Sequence, residues 1–419
     1  MQVFYNLSVM RYTLWCGEPI FVGYFRTPPG PRFWTAVYIV NDLGGLWPYL
    51  SSNAAVPLAA VILGRLPTAA EDALVRDLGY AIFLSAFLPL IFGGKIYNAI
   101  EKVMVAKLIL VLGFLSFVTL VWVSRETWWE IGSGLFRFGA LPAGEFSWAT
   151  LAAFAAVAGA GGLTNSAFSN YARDKGWGMG PQVGALPSLV GGRTIKLSHT
   201  GKVFELSGEN LRRWRGWLRH ILRDQMALWA PGCVLGMALP AMFSYEFLRG
   251  VTDIQGHAAA AMTAEAIAAR HGRWLWFLTL LCGFLVMAPT QVSQLDNICR
   301  RWTDVLWTGA RRLRRLEEHK VKYVYYAILA AYGVWGLIAL RLTPNPLALA
   351  IASGVMMNFA LGFSALHTLY VNLVLLPPAL RPGRLLRAGL LTCAVFYFGI
   401  SAIAFHEQWP RLAAWLGIH

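Results

Sequence analysis

The sequence predicts an all-α polytopic membrane protein. First, 57% of its 419 residues are hydrophobic and only 14% are charged, with a mean hydropathy of +0.51. A water-soluble globular chain carries about 25% charged and about 45–50% apolar residues. Second, the apolar residues gather in runs of about 20, the length that crosses a bilayer. Third, basic residues are rich and poor in alternate connecting loops. The eighteen Trp and fifteen Tyr suit a protein with two membrane–water interfaces, where amphipathic rings settle. This composition argues against a soluble enzyme, a disordered chain and a disulfide scaffold.

Taken in order, nine candidate spans lie near 33–63, 78–94, 103–123, 148–170, 224–248, 274–297, 323–341, 345–376 and 386–407. The second is short. The first and eighth are long enough to be tilted or broken. Segment 1–32 carries Glu18 and Pro19 and lacks an apolar core with a small-residue cleavage site. It reads as the end of a helix and a loop. With that segment in the cytoplasm, the inside loops are 1–32, 95–107, 171–220, 298–322 and 377–387. They hold 26 Lys and Arg, the outside segments hold nine, and Arg223 sits at a helix end. The positive-inside rule then puts the N-terminus inside and the C-terminus outside. The net charge of +15 is mainly a topology signal. Nucleic-acid binding is not expected, because the basic residues fall in separate loops beside spans.

The whole chain reads as one transmembrane domain. Its longest inside loop, 171–220, contains two alternating runs, Thr194–Leu197 and Val203–Leu206, about a Gly-containing turn. They predict a small β-hairpin. The basic run from Arg300 to Arg315 reads as a topology anchor or an interfacial segment touching anionic membrane lipids. The five cysteines form no CxxC pair, so neither a disulfide framework nor a zinc site is indicated. Sequences of the forms Gx4GK[ST], HExxH and GxSxG are absent, which weakens ATP-driven transport and enzymatic roles.

The fourth span carries the chemistry. Gly159, Gly161 and Gly162 surround Ala160, and Leu163-Thr164-Asn165-Ser166 follows. Each glycine weakens a helix by about 1 kcal/mol relative to Ala. Loosened backbone is tolerated in hydrocarbon only where it is buried in protein or lines a cavity. Two readings follow: a transporter-type cation site on an unwound helix, or a glycine-rich packing face. Asn41-Asp42-Leu43-Gly44-Gly45 interrupts the first span, and Asp42 is either a functional intramembrane carboxylate or a carboxylate near a kink satisfied by backbone donors. Gln291 to Asn297 reads as the wet end of the sixth span or the wall of a vestibule. In the eighth span, Asn358 and His367 are candidates for a polar or proton relay, with core packing as the plainer alternative.

These residues together resemble the Nramp (natural resistance-associated macrophage protein) metal-ion transporters, in a divergent bacterial Nramp-like branch. The segment Met10-Arg-Tyr-Thr-Leu-Trp-Cys-Gly-Glu18 resembles a stretch after the second family helix, and Asn98-Ala-Ile-Glu101-Lys102 the start of the fifth. Gly159 through Gly176 is similar to the broken sixth helix. His367 to Asn372 and Leu376 to Pro382 resemble the end of the tenth helix and its following loop. The resemblance implies a leucine-transporter-type bundle with two inverted five-helix repeats and a central metal site. It implies import of a divalent cation such as manganese, iron or magnesium, with protons, across a bacterial inner membrane. The metal ion is then a transported substrate, and no permanently bound cofactor is expected.

Two departures qualify it. The nine spans correspond to family helices three to eleven, so the first two, with their Asp-Pro-Gly-Asn ligands, have no counterpart. Roughly 50–80 residues would supply them. Leu163 also stands where the family places a Met ligand, and Asn165 where it places a His. The expected ligands are the Ala160 carbonyl and the Thr164 and Asn165 side-chain oxygens, a set suited to a harder ion. The rival expectations are an amino-acid or amine permease of the same superfamily and a non-transporting relic or assembly partner. A polytopic lipid enzyme lacks an acid–base or metal constellation in the loops.

Overall fold

The computed structural model describes residues 1–92, 95–137, 139, 146–183, 200–251, 261–310, 312–317, 320–342 and 345–416, with 95–103 and 411–416 by backbone alone. Among them the regular elements are all helical. In chain order they are α1 (Gln2–Cys16), α2 (Ile20–Phe25), α3 (Pro31–Asn41), α4 (Tyr49–Leu63), α5 (Asp72–Ser85), α6 (Leu88–Phe92), α7 (Lys95–Trp122), α8 (Arg125–Gly134) and α9 (Trp148–Val157). Then come α10 (Ala167–Asp174), α11 (Gly208–Asp224), α12 (Ala230–Leu248), α13 (Met262–His271), α14 (Arg273–Gly309), α15 (Val321–Leu342), α16 (Pro346–Val374) and α17 (Arg384–Leu416).

Nine stretches among the described residues are long and apolar enough to cross a membrane, each overlapping one expected span. The chain is thus consistent with an integral multi-pass membrane protein. Exposed apolar side chains support this. Leu108, Ile109, Leu110 and Leu120 of α7 and Leu228 and Leu235 of the fifth span are all open. Water would penalise such a surface, whereas lipid tails match it.

Local sequence explains where the elements depart from the expected boundaries. The first span is broken: α3 stops at Asn41, a 3₁₀ turn covers Leu43–Leu46, and α4 begins after Pro48. Gly44 sits there because a Cβ would come within 2.8 Å of Met356 Cβ on α16. The fifth span starts earlier than 224, because Ser207 caps α11, accepting from the Asn210 N–H at 3.2 Å. Its apolar positions Leu211, Trp214, Leu218 and Ile221 recur at helical spacing and pack inward. A π turn, Gln225–Trp229, joins it to α12. The 37-residue α14 runs on to Gly309 and is about 55 Å long, well beyond a bilayer core of about 30 Å. The eighth span, α16, is unbroken over 29 residues. One arm of the expected hairpin, Thr194–Leu197, lies outside the described residues. The other, Val203–Leu206, forms no regular element among the described residues.

Small residues set the helix spacing. A Cβ on Gly354 of α16 would meet Ala153 Cα of α9 at 2.5 Å, so those two backbones touch. The largest buried cluster joins α1, α2, α10, α16 and α17, and includes Tyr5, Tyr12, Tyr24, Leu361 and Tyr397. It lies beside the interruption between α9 and α10.

Candidate functional site: the interrupted helix

α9 ends at Val157 and α10 begins at Ala167, with a 3₁₀ turn over Gly162–Ser166. The cause is local. Gly161 has φ +74° and Gly162 φ +53°, which L side chains rarely adopt. Both glycines pack on Met357 of α16, whose sulfur would lie 3.4 Å from a Cβ on Gly161. A thioether therefore reaches the break from another helix, although Leu163 holds the expected position.

Unwinding frees backbone donors, and one of them sets the polarity of a buried amide network. The Ala160 N–H donates to Gln2 Oε1 at 3.1 Å. Gln2 must therefore present its oxygen here, and its Nε2 donates to the Tyr397 hydroxyl at 2.8 Å. Asn165 meets the same oxygen, so it offers its amide nitrogen, at 3.0 Å to Gln2 Oε1 and 2.8 Å to Asn6 Oδ1. Asn6 Nδ2 in turn donates to Gln225 Oε1 at 2.8 Å, and Gln225 Nε2 to Asp224 Oδ2 at 3.0 Å. With both N–H bonds spent, Asn165 Oδ1 remains buried and without a partner. A bare buried acceptor costs about 1–3 kcal/mol.

A second chain of hydroxyls adjoins this one. Tyr5 and Ser166 share a hydrogen bond of 2.5 Å, as do Tyr24 and Thr368, and the two tyrosine hydroxyls stand 3.4 Å apart.

Of the residues singled out in the sequence, the fold brings Ala160 and Asn165 together through Gln2. Thr164 is half-buried beside them and stays outside the amide network. Gly159 faces the Gln2 side chain, which leaves no room for a Cβ. Asn358 lies against α9, its Nδ2 donating to the Ala152 carbonyl at 2.7 Å while its Oδ1 is buried and bare. Asp42 and His367 belong to other places. Asp42 is held by Arg301 Nε and Nη2 at 2.8 Å each and by Trp302 Nε1 at 2.6 Å. His367 is fixed through both ring nitrogens, to Thr27 Oγ1 and the Tyr38 hydroxyl at 2.8 Å each. It also stacks on Tyr24 with centroids 4.5 Å apart.

Below the break, a cavity of about 390 Å³ opens between α10 and α14. Asn170, Arg173 and Asp174 line one wall, and Ser293, Asp296 and Asn297 the other. The end of the sixth expected span thus forms one wall of a cleft that polar and apolar side chains share. Asp304 fastens two of its lining residues, accepting from Asn170 Nδ2 and from Arg173 Nη1.

Gln2, Asn6, Gln225, Met357 and Arg301 are the participants that sequence reasoning missed. Gln2 and Asn6 had a faint signal, two carboxamides four residues apart on one helix face. Among the described residues no group of three His, Cys, Asp or Glu side chains converges, so any cation held at the break would meet neutral donors.

Comparison with known proteins yields no match: no family model fits the chain, and no curated protein or solved structure matches it.

Proposed function

We propose that the chain is a secondary transporter that moves a divalent cation inward by alternating access around the α9–α10 interruption. The observation that carries this is Asn165 Oδ1, a buried acceptor left without a donor on unwound backbone inside an apolar bundle. A cation supplies what that oxygen lacks. The Ala160 carbonyl, the Thr164 hydroxyl and the Met357 sulfur are the nearby groups that would complete a neutral donor set. The resemblance to Nramp transporters, the leucine-transporter-type arrangement it implies and the cytoplasmic side indicated by the basic loops all agree with this reading.

The protein's own residues divide the work. Gly161 and Gly162 keep the helix unwound, and Gln2, Asn6 and Gln225 aim Asn165. Asp224, reached through Gln225, is the negative charge tied to the network. The ion pairs at Asp304 and Asp42 brace the end of the bundle where the loop charge places the cytoplasm. Asp42 or His367 would take a proton only after leaving its present partners.

The test is uptake of manganese, iron and magnesium into proteoliposomes, with and without a proton gradient. Uptake above empty vesicles, lost in Asn165→Leu with normal membrane insertion, supports the proposal. Full activity of Asn165→Leu refutes the site.

A second reading rests on the neutrality of the amide network. A doubly charged ion in a low-dielectric site needs compensating charge, and Asp224 acts only at one remove. A small polar organic molecule, such as an amino acid or amine, would suit four carboxamides at a smaller cost, because it carries at most one net charge. Competition of uptake by amino acids rather than metals would select it.

A further inference from the structure

A groove away from the break has the chemistry of a lipid site. It measures about 310 Å³ and lies between α1, α11 and α17. Phe4, Leu7, Leu218, Leu222 and Leu386 give it apolar walls, and Arg11 adds a charge. Arg11 donates through Nη1 to the Leu380 carbonyl at 2.7 Å and lies over the Trp214 ring at 5.6 Å. Its Nε is buried and has no acceptor. No carboxylate lies within ion-pair distance of it among the described residues.

Depth and charge identify the occupant. Gln225 bonds Asn6 and Tyr397 bonds Gln2, so both mark the level of the helix interruption. Arg215 on α11 and Arg387 on α17 each lie ten residues nearer the basic face, about 15 Å along a helix. That is half of a bilayer core of about 30 Å. At 100° per residue, Arg215 and Arg219 fall within about 60° of arc from Leu222, on the groove side of α11. Both are exposed, as is Arg384 at the start of α17. None of the three has a carboxylate partner among the described residues, whereas Arg213 pairs with Glu209 at 2.5 Å.

We propose that this groove binds an anionic phospholipid of the leaflet on the basic face. One acyl chain lies along Leu7, Leu218, Leu222 and Leu386. The phosphate is held by Arg215, Arg219 and Arg384, with Arg11 as the buried donor on the inner wall. The site is independent of what the protein transports. The occupant is a lipid rather than a free anion, because the apolar walls lie on the face of α11 that carries Arg215 and Arg219 and on the start of α17 that carries Arg384.

The test is native mass spectrometry of the purified full chain with phosphatidylglycerol or phosphatidylcholine of identical acyl chains. Phosphatidylglycerol should be retained about tenfold more strongly or better. The doubly substituted Arg215→Gln, Arg219→Gln protein should lose that preference. Leu222→Trp, at a position 46% exposed, should fill the groove and weaken both lipids. Equal retention of the two lipids, an unchanged preference in the arginine variant, or displacement by millimolar inorganic phosphate would overturn the proposal. All three substitutions are at exposed positions, so elution of each variant as a single peak separates lost binding from lost folding.

Discussion

Arg301 and Asp304 stand three residues apart on α14 and clasp different neighbours. Arg301 grips Asp42 at the end of α3 with two bonds of 2.8 Å. Asp304 accepts from Arg173 and Asn170 of α10. The extension of α14 beyond its expected end therefore ties the broken first span to the lower half of the interrupted fourth. Any swing of α10 about Gly161 and Gly162 must first release Asp304.

Asp304→Asn should loosen that tie. A cysteine introduced as Ser293→Cys, on the cavity wall, should then react several-fold faster with a membrane-impermeant maleimide. Unchanged labelling in a protein that elutes normally would mean the ion pair does not restrain α10 against α14.

The Asp42–Arg301 pair has a different signature. Both side chains are at most 5% exposed, so removing one partner strands a buried charge. Asp42→Ala should cost about 3–5 kcal/mol. The double replacement Asp42→Ala, Arg301→Met should cost less than the single change, because it strands no charge and leaves only the Trp302 indole N–H and the Asn297 carbonyl oxygen short of a partner. Thermal unfolding of the detergent-solubilised variants measures both. A double variant less stable than Asp42→Ala would contradict this account.

How much could be read beforehand follows from the range of each interaction. The spans were legible because hydropathy is local, and the break at Gly159–Gly162 because glycine punctuates locally. The partners of Asn165 were not. Gln2 and Asn6 are 163 and 159 residues away, and no sequence spacing announces such a meeting. Arg301 was hidden in a basic run whose topological meaning was already sufficient. α11 was read for its charge, as loop, while its apolar positions at helical spacing made it a helix. The present fastening of Asp42 and His367 depends on residues from distant elements, so their intramembrane position alone could not reveal it.

The glycines at the break should differ from glycines elsewhere. Gly161→Ala forces a Cβ onto φ +74° and within 2.7 Å of the Ala156 carbonyl. The backbone alone costs about 1–2 kcal/mol. Gly232, inside α12, has nothing within 4 Å of a Cβ, so Gly232→Ala should be neutral or stabilising by up to about 1 kcal/mol. Melting temperatures of the two variants should move in opposite directions, or only the first should fall. An unshifted Gly161→Ala would mean that the break does not depend on this conformation.

At the end of α1, Glu18 gathers the loop. It accepts from the Tyr12 hydroxyl at 2.8 Å, Arg26 Nη2 at 2.5 Å and the Gly201 N–H at 2.6 Å. Cys16, outside the nine spans, lies against it. Burial first, and then the Glu18 carboxylate, push the Cys16 thiol well up. The thiolate is the reactive form, so Cys16 should resist maleimide between pH 7 and 9 and react after denaturation. Glu18→Gln should weaken the Arg26 and Gly201 contacts and open Cys16 to the reagent. Peptide mass spectrometry reads both outcomes, and rapid labelling of the native wild type would be inconsistent with this packing.

Asn165→Asp separates the two cargo readings. The new carboxylate would place an oxygen where Asn165 Nδ2 now donates to Gln2 Oε1 and Asn6 Oδ1. Asn6 can turn its amide only by giving up its bond to Gln225 Oε1, and Gln2 is held by the Ala160 N–H. The empty variant should therefore lose about 1–3 kcal/mol, the penalty of an unmatched buried group. A divalent cation reverses that loss, because it supplies the charge the carboxylate lacks. If the cargo is such an ion, millimolar manganese should raise the melting temperature of Asn165→Asp more than that of the wild type. Uptake should survive with altered affinity. If the cargo is a neutral or singly charged organic molecule, manganese should leave the melting temperature unmoved, and uptake should fail because an amide donor is gone. A variant as stable as the wild type without any ion would show that the amide network does not have the polarity assigned to it.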